Sequence, residues 1–163
     1  MEDKAYQIKD SGKKMQVSKK PLFVLALMFF GFVFVVFLIQ NKTPIAWIVN
    51  YEKGVELARK QKKPLLLVFY KPNAPMFVGA QNTTYNNPDV KKYVETNFIP
   101  VLINCTERPD LAKKFGVGYY PTHYVKNPDK EELFGPRLGG DVPNLFIKQM
   151  QQLLDKMNES LKE

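Results

Sequence analysis

The distribution of hydrophobic residues divides the chain into two parts at about residue 40. Residues 22–39, LFVLALMFFGFVFVVFLI, are eighteen consecutive positions without a charged or strongly hydrogen-bonding side chain. A helix of about 20 apolar residues spans the ~30 Å hydrocarbon core of a bilayer. We therefore predict one transmembrane helix over residues 21–40, preceded by a polar, lysine-rich tail over residues 1–20.

A cleaved signal peptide is the alternative interpretation of this apolar segment. The apolar region of a signal peptide is usually about 7–15 residues long and is followed by a small-x-small cleavage site. Here the sequence Gln40-Asn41-Lys42-Thr43-Pro44 follows. The length and this flank favour an uncleaved anchor.

Beyond residue 40 the apolar residues fall into short runs and helical stripes that alternate along the chain. The run Leu65–Tyr70, bounded by Pro64 and by Pro72-Asn73, predicts a buried strand. The other predicted elements are helices over 51–63, 87–97 and 111–115, strands over 98–104, 122–126 and 132–134, and a final helix that starts near Pro143 with Asp141 as its N-cap. This order predicts one α/β domain with a central mixed sheet. We place the domain at residues 51–163, after a linker over residues 41–50.

Charge changes the picture by giving the predicted anchor an orientation. The chain has a formal net charge of +8, and six lysines lie within residues 1–20. Because cytoplasmic loops of membrane proteins are rich in lysine and arginine, we expect this tail in the cytoplasm. Residues 41–163 are then expected on the opposite side, in a periplasmic or equivalent compartment. Cys105 is the only cysteine, so no disulfide can form within the chain.

Few residues suit metal binding or catalysis. His123 is the only histidine, and no cysteine cluster accompanies it, so we expect a packed or half-exposed ring and no metal site. No phosphate-binding glycine motif occurs, and the lysines at 60–63 and 91–92 are not interleaved with aromatic residues. We therefore expect no cofactor and no nucleic-acid partner. Cys105 follows a strand, with Lys113 and Lys114 as expected neighbours, and is interpreted as a structural thiol.

Two segments carry a resemblance to a known family. The first is Leu65–Phe77, LLLVFYKPNAPMF, in which a buried strand ending in VFY leads into a proline-bearing loop. The second is Phe115–Thr122, FGVGYYPT. With the order of elements over about residues 47–157, they resemble the thioredoxin fold, especially the membrane-anchored bacterial thioredoxin-like domains. The resemblance implies a thioredoxin-like fold, with helices flanking the mixed sheet, and a cis peptide bond before Pro121.

The same resemblance implies that the redox chemistry of the family is absent. A reactive thioredoxin has W-C-x-x-C in this loop, and its first thiol attacks a disulfide as the thiolate. The two sulfur positions correspond to Ala74 and Phe77, and the aromatic residue before them corresponds to Asn73. The buried carboxylate of many members corresponds to Val68. We therefore expect the chain not to be an enzyme of the dithiol type.

Two classes of function remain, a binding module and an enzyme. In the first, the domain is an interaction, assembly or structural subunit of a larger membrane protein complex, or a chaperone-like holder of extended peptides. The predicted partner-binding groove consists of Asn73, Ala74, Pro75, Met76, Phe77, Tyr119, Tyr120 and Pro121. For two of these residues, Met76 and Phe77, burial in the core is the alternative. In the second class, Cys105 acts as a lone thiol in exchange or peroxide chemistry.

Overall fold

The computed structural model describes residues 28–29, 31, 44–140 and 142–162. The chain divides into two compact units, residues 1–38 and residues 39–163. In the first unit the described residues Met28, Phe29 and Gly31 are helical. The predicted tail and most of the predicted span over 21–40 lie outside the described residues, so the span and its orientation stay predictions. None of the helices within the described ranges has the length and hydrophobicity needed to cross a membrane.

The described part of the second unit contains one four-stranded sheet and five α-helices. The helices are α1 (Tyr51–Gln61), α2 (Pro75–Ala80), α3 (Pro88–Asn97), α4 (Pro109–Lys114) and α5 (Pro143–Ser160), and a π-helical turn, Gln81–Tyr85, joins α2 to α3. The strands are β1 (Leu65–Tyr70), β2 (Ile99–Asn104), β3 (Thr122–Lys126) and β4 (Leu133–Leu138), in the order β2-β1-β3-β4. Strand β1 is parallel to β2 and antiparallel to β3, and β4 is antiparallel to β3. The predicted α/β class with a mixed sheet is confirmed.

Strand β1 is the centre of the core because it is buried on both faces. Alternate residues of a strand point to opposite faces of the sheet. Leu66 and Val68 therefore belong to the cluster packed under α2, α3 and α5. Leu65, Leu67 and Phe69 belong to the cluster on the other face, which α1 and α4 cover. Helices thus flank the sheet on both sides, and the uninterrupted apolar run of β1 is explained.

Helix α1 lies very close to strand β2 and ends sharply. A Cβ atom at Gly54 would lie 2.5 Å from Cγ2 of Val101, so a residue without a side chain is needed at this crossing. The helix ends because Lys62 adopts a left-handed conformation, with φ 53°, and its backbone N–H donates to carbonyl oxygens of the last turn. The basic residues Arg59, Lys60, Lys62 and Lys63 therefore lie around the carbonyl end of α1.

Part of the predicted linker belongs to the domain. Ile45 is buried in the core cluster beneath α2 and α3. The N–H of Ile48 donates to the carbonyl oxygen of Pro100 at 2.9 Å, and the N–H of Leu102 donates to the carbonyl oxygen of Ile48 at 3.0 Å. These bonds make the segment a short parallel neighbour of β2. The domain therefore begins by residue 45, earlier than the predicted residue 51.

Three predicted local features differ from the structure. The N-cap of α5 is Val142, which offers no side-chain acceptor, so the prediction of Asp141 as the N-cap is wrong. Strand β4 runs to Leu138 instead of ending at Phe134. The helix α2 and the π-helical turn after it lie where the sequence suggested only a loop.

Candidate functional site

The candidate site lies at the carboxyl end of β1, where the chain enters α2. The backbone N–H of Ala74 donates to the carbonyl oxygen of Lys71 at 3.1 Å, which closes the turn between strand and helix. Pro75 stands in the first turn of α2, where its missing N–H is harmless because these N–H groups have no partner within a helix. Ala74 is the N-cap, and its methyl group accepts no hydrogen bond.

Phe77 fills the space beneath this turn. Its side chain is 2% exposed, and its ring stacks on that of Tyr70 with 4.3 Å between centroids and 28° between planes. The ring of Tyr85 lies 6.3 Å away. The assignment of Phe77 to the partner-binding groove is therefore wrong, because α2 turns this position toward the sheet. Met76, one residue earlier, points away from the core and is 60% exposed.

The segment that contains Pro121 packs between the sheet and the loop after β4. The peptide bond between Tyr120 and Pro121 is cis. Pro121 is buried, and its carbonyl oxygen accepts a hydrogen bond from the N–H of Gly139 at 2.8 Å. The placement of Pro121 on the surface of the groove is therefore wrong, because this residue supports the surface from below. Within the part of the chain that the structure describes, the backbone N–H and C=O of Tyr120 have no backbone partner.

Exposed apolar side chains surround this end of the sheet. Met76 and Tyr119, which the sequence predicted, are 60% and 70% exposed, and Leu138 and Val142, which it did not, are also exposed. Gly139, which follows Leu138, lies so close to Met76 that a Cβ at Gly139 would be 2.7 Å from its Cε. We call Met76, Tyr119, Leu138 and Val142 the apolar rim.

The other predicted groove residues divide by exposure. Asn73 and Pro75 are exposed, whereas Ala74 and Tyr120 are half-buried. They lie on the β1–α2 loop or beside the cis peptide bond, next to the apolar rim. Sequence reasoning missed Leu138 and Val142 because they are distant along the chain, although the Gly139-Gly140 pair was a signal of close packing in this region.

Cys105 lies near the candidate site but on the other face of the sheet. Its backbone N–H donates to the carbonyl oxygen of Tyr70 at 2.9 Å, and its side chain is 5% exposed. Burial raises the pKa of the Cys105 thiol, while a hydrogen bond from Tyr120 and the charge of Lys71 offset part of the rise. The ammonium group of Lys71 also lies 5.0 Å from the centroid of the Tyr120 ring.

The sequence predicted Lys113 and Lys114 as neighbours of Cys105, but the structure places other residues around its sulfur. Lys114 instead lies over the Phe115 ring, 5.5 Å from its centroid, and approaches Glu131 at 3.9 Å. The parallel pairing of β2 with β1 decides the neighbours of Cys105, since it sets the end of β2 beside Tyr70. The thiol is thus adjacent to the groove but covered.

His123 forms part of a buried polar group on the α2 face of the sheet. Its Nδ1 lies 3.1 Å from the carbonyl oxygen of Arg137 and its Nε2 lies 2.6 Å from the hydroxyl of Tyr85. Because a carbonyl oxygen only accepts, Nδ1 carries the proton and a neutral ring accepts from Tyr85 through Nε2. The ring is packed and holds β3, β4 and the π-helical turn together. Among the described residues, no group of three His, Cys, Asp or Glu side chains is arranged to hold a metal ion.

Comparison with known families agrees with this geometry. Residues 46–128, just over half of the chain, match the family model described as thioredoxin-like. The chain belongs to the thioredoxin-like family. A search of curated protein sequences gives no significant match.

Solved structures of thioredoxin-like proteins superpose on this member of the family. A Thermus thermophilus thioredoxin is 20% identical, with 69% of this chain and 88% of that chain covered and a TM-score of 0.61. The C-terminal domain of Neisseria meningitidis DsbD in the oxidised form is 22% identical, with 66% and 98% covered and a TM-score of 0.57. A DsbH oxidoreductase is 11% identical, with 71% and 88% covered and a TM-score of 0.62. At these identities the likeness shows the fold.

Positions 74 and 77 are the two that correspond, by resemblance, to the cysteines of a dithiol thioredoxin. Ala74 offers a methyl group and Phe77 a buried ring. Neither group forms a mixed disulfide, which requires a thiolate as the attacking group. What this arrangement offers chemically is an apolar surface beside the backbone of Tyr120, which has no backbone partner among the described residues.

Proposed function

We propose that the chain is a redox-inactive, membrane-anchored thioredoxin-like protein that serves as an interaction, assembly or structural accessory subunit of a larger membrane protein complex. The stacking of the buried Phe77 ring on Tyr70, at 4.3 Å, carries this proposal. At one of the two sulfur positions, the chain therefore has a side chain that belongs to the hydrophobic core. The position now contributes to stability and offers no reactive group.

The chemistry around the second sulfur position supports the same conclusion. Position 74 holds a methyl group, and the only thiol of the chain, that of Cys105, is buried and has a raised pKa. A thiol with a raised pKa is a poorer source of the thiolate that exchange requires. The domain therefore keeps the shape of a redox site without a group that carries the reaction.

The apolar rim and the backbone of Tyr120 support a partner with an extended, apolar segment. An extended segment of another protein pairs its backbone with the N–H and C=O of Tyr120, as peptides do when they add to an exposed edge. Apolar side chains of that segment then lie against Met76, Tyr119 and Leu138. We infer that the partner presents apolar side chains, because Met76, Tyr119 and Leu138 are exposed on the rim.

The membrane anchor of the proposal comes from the sequence. The apolar run over residues 22–39 and the six lysines before it favour a single span with residues 1–20 in the cytoplasm. The domain then meets its partner on the opposite side of the membrane. The lipid bilayer is the second partner, through residues 21–40.

The proposal is tested by purifying the full chain in mild detergent and identifying the proteins that remain bound. Tyr119→Glu places a charge in the rim, and an unpaired charge at the centre of an apolar interface weakens binding by several kcal/mol, about 10²-fold or more. Tyr119 is 70% exposed, so the stability of the domain should change by only about 0.5 kcal/mol. We expect the partner to be lost while the melting temperature stays nearly the same.

Val49→Glu is the matched control, because Val49 is exposed and apolar but lies before α1, away from the rim. It should leave the complex intact. If the partner stays bound to Tyr119→Glu, or if Val49→Glu releases it equally, the rim is not the binding surface. Isolation of the native chain as a monomer would remove the basis for an accessory subunit.

A chaperone-like peptide-binding module and a monothiol oxidoreductase remain the alternatives. If the chain is a chaperone-like module, we expect it to bind many extended peptides with low affinity at the same rim instead of one stable partner. The oxidoreductase predicts turnover of a disulfide or peroxide substrate that disappears in Cys105→Ser. We expect no reduction of insulin by the purified chain with a coupled reductant, and Cys105-dependent turnover would restore the enzyme hypothesis.

A further inference from the structure

A pocket of about 380 Å³ opens between the start of the described domain, at Pro44, and the π-helical turn. Pockets that hold small ligands typically have about 300–1,000 Å³, with mostly apolar walls and a few polar groups. None of the four residues of the apolar rim lines this pocket. It is therefore a candidate binding site separate from the rim, and residues of the domain alone form it.

Three aromatic residues, Trp47, Phe77 and Tyr85, contribute apolar surface to the pocket. Trp47 is half-buried, and its ring meets the Tyr85 ring edge to face with 5.4 Å between centroids. The Tyr85 hydroxyl lies 2.6 Å from Nε2 of His123, and Phe77 is stacked on Tyr70. The core therefore holds these rings in place, and the aromatic wall is formed before any ligand binds.

Three exposed carboxamide side chains, those of Gln81, Asn82 and Asn86, line the same pocket. A π-helix bonds residue i to residue i+5, so Gln81 and Asn86 lie on one side of the turn. Such turns are rare and occur frequently at functional sites. Over residues 44–140 and 142–162, these three side chains form no hydrogen bond with another residue. Each carboxamide thus has donor and acceptor groups available to a ligand.

The lining of the pocket indicates the chemistry of the ligand. No charged side chain lines it, so a phosphate or carboxylate group would find no cation there. A carboxamide both donates and accepts hydrogen bonds, as a hydroxyl group does. A sugar ring has hydroxyl groups around its edge and C–H groups on its faces, and these C–H groups pack against the negative face of an aromatic ring. Aromatic rings beside carboxamides therefore suit a saccharide.

We propose that this pocket binds a neutral saccharide, as a hexose or N-acetylhexosamine unit. One face of the sugar ring lies on Trp47, and its hydroxyl groups bond to the carboxamides of Gln81, Asn82 and Asn86. Because core contacts already hold the aromatic wall, the protein loses little freedom on binding. The inference goes beyond the proposed function and depends on neither the apolar rim nor the predicted anchor.

The test uses fluorescence, because Trp47 is the only tryptophan of the chain and lines the pocket. The full chain is kept in a polyoxyethylene detergent, since a detergent with a sugar headgroup would itself compete for the site. Glucose, galactose and N-acetylglucosamine are titrated, and glycerol controls for effects of the solvent. We expect at least one sugar to shift the Trp47 emission to shorter wavelength, with saturation at millimolar concentrations, and glycerol to give no saturable shift.

Two double variants identify the residues responsible. Gln81→Ala with Asn86→Ala removes two hydrogen-bonding groups from exposed positions of the pocket. The dissociation constant should rise by about tenfold, since each neutral hydrogen bond contributes a few-fold. Gln61→Ala with Asn158→Ala removes the same groups from exposed positions on α1 and α5 and should leave the dissociation constant unchanged.

An extended proline-rich peptide is the competing ligand, because such peptides also dock on grooves lined by aromatic residues. An uncharged oligoproline peptide is therefore titrated in the same assay. Saturation by this peptide and by none of the sugars overturns the proposal. A response to glycerol equal to that of the sugars, or an unchanged dissociation constant in Gln81→Ala with Asn86→Ala, also overturns it.

Discussion

Positions 77 and 105 lie near each other at the carboxyl end of β1 but on opposite faces of the sheet. They differ in the side chain that each position holds and in the surroundings of that side chain. Position 77 lies in the first turn of α2 and corresponds to one of the two sulfur positions of a thioredoxin, but here it holds a packed ring beneath an exposed rim. Position 105 holds the only thiol of the chain, and this thiol is buried. Reactivity needs a thiolate and access together. In this molecule the accessible loop has no thiol, and the thiol has no access.

Phe77→Ala is expected to have the largest effect on this comparison. Removing a buried phenyl ring leaves a cavity beneath the β1–α2 loop and typically destabilises a domain by about 3–5 kcal/mol. Met76→Ala is the control, since Met76 is 60% exposed, and should cost less than about 1 kcal/mol. Urea denaturation of both variants measures the difference. Equal stabilities would show that position 77 is not core.

Moving the sulfur from one position to the other tests the comparison directly. In the double variant Cys105→Ser with Ala74→Cys, the thiol stands at the N-cap of α2, where the helix terminus lowers a thiol pKa. We expect alkylation by iodoacetamide at neutral pH to be about 10²-fold faster than in the native chain, whose thiol reacts only when the structure opens. Comparable rates would mean that Cys105 is accessible and that burial does not control its reactivity.

The raised pKa of Cys105 also makes the stability of the domain depend on pH. A thiol whose pKa is higher in the folded chain keeps its proton there while the unfolded chain loses it. Stability therefore falls as the pH rises from the unfolded pKa toward the folded one. Cys105→Ser should remove this part of the alkaline loss of stability, measured by urea denaturation between neutral and alkaline pH. An unchanged alkaline slope would contradict the assignment.

Tyr85→Phe should have an intermediate effect on stability, through the face of the sheet that α2 covers. The change removes the hydrogen bond from the Tyr85 hydroxyl to Nε2 of His123, both of which are buried. Loss of a partner by a buried acceptor costs about 1–3 kcal/mol. Tyr119→Phe deletes the same hydroxyl from an exposed ring and should change stability by no more than about 0.5 kcal/mol. Similar effects of the two changes would mean that the buried pair contributes nothing specific.

Ala74→Asp should have the smallest effect and the opposite sign. Pro75 has no N–H, and the N–H of Phe77 donates to the carbonyl oxygen of Ala74 at 3.0 Å. The carboxylate is therefore expected to accept a hydrogen bond from the N–H of Met76, and it interacts favourably with the amino end of the helix. We expect the domain to be stabilised by about 1 kcal/mol. The same variant adds charge next to the apolar rim, so loss of the partner with a gain in stability would separate binding from folding. A destabilised Ala74→Asp would contradict the capping geometry.

The sheet and most helices were predictable from the sequence because their signals are local. Leu65–Tyr70 is an apolar run between proline-bearing turns, and the structure gives it the same bounds. Helix α2 was missed because PMFVGA is too short for a helical period and begins with proline. The extension of β4 to Leu138 was missed because Gly135-Pro136-Arg137 interrupts the apolar alternation.

The candidate site was less predictable because it is made of contacts between distant segments. The sequence allowed either burial or exposure for Met76 and Phe77, and only the direction of α2 decides between them. The neighbours of Cys105 depend on the register of β2 against β1, which places the thiol beside Tyr70 and Tyr120 rather than Lys113. Leu138 joins the rim through the pairing of β4 with β3.

The close contact at Gly140 has a consequence for the thermodynamics of recognition. A Cβ at this position would lie 2.3 Å from the Cβ of Ala80, so the loop after β4 rests directly on the backbone of α2. The hydrogen bond from Gly139 to Pro121 joins a third segment, the one before β3, to α2 and the loop after β4. Three segments tied by backbone contacts have little freedom left to lose when a partner docks, and such preorganisation lowers the entropic cost of association.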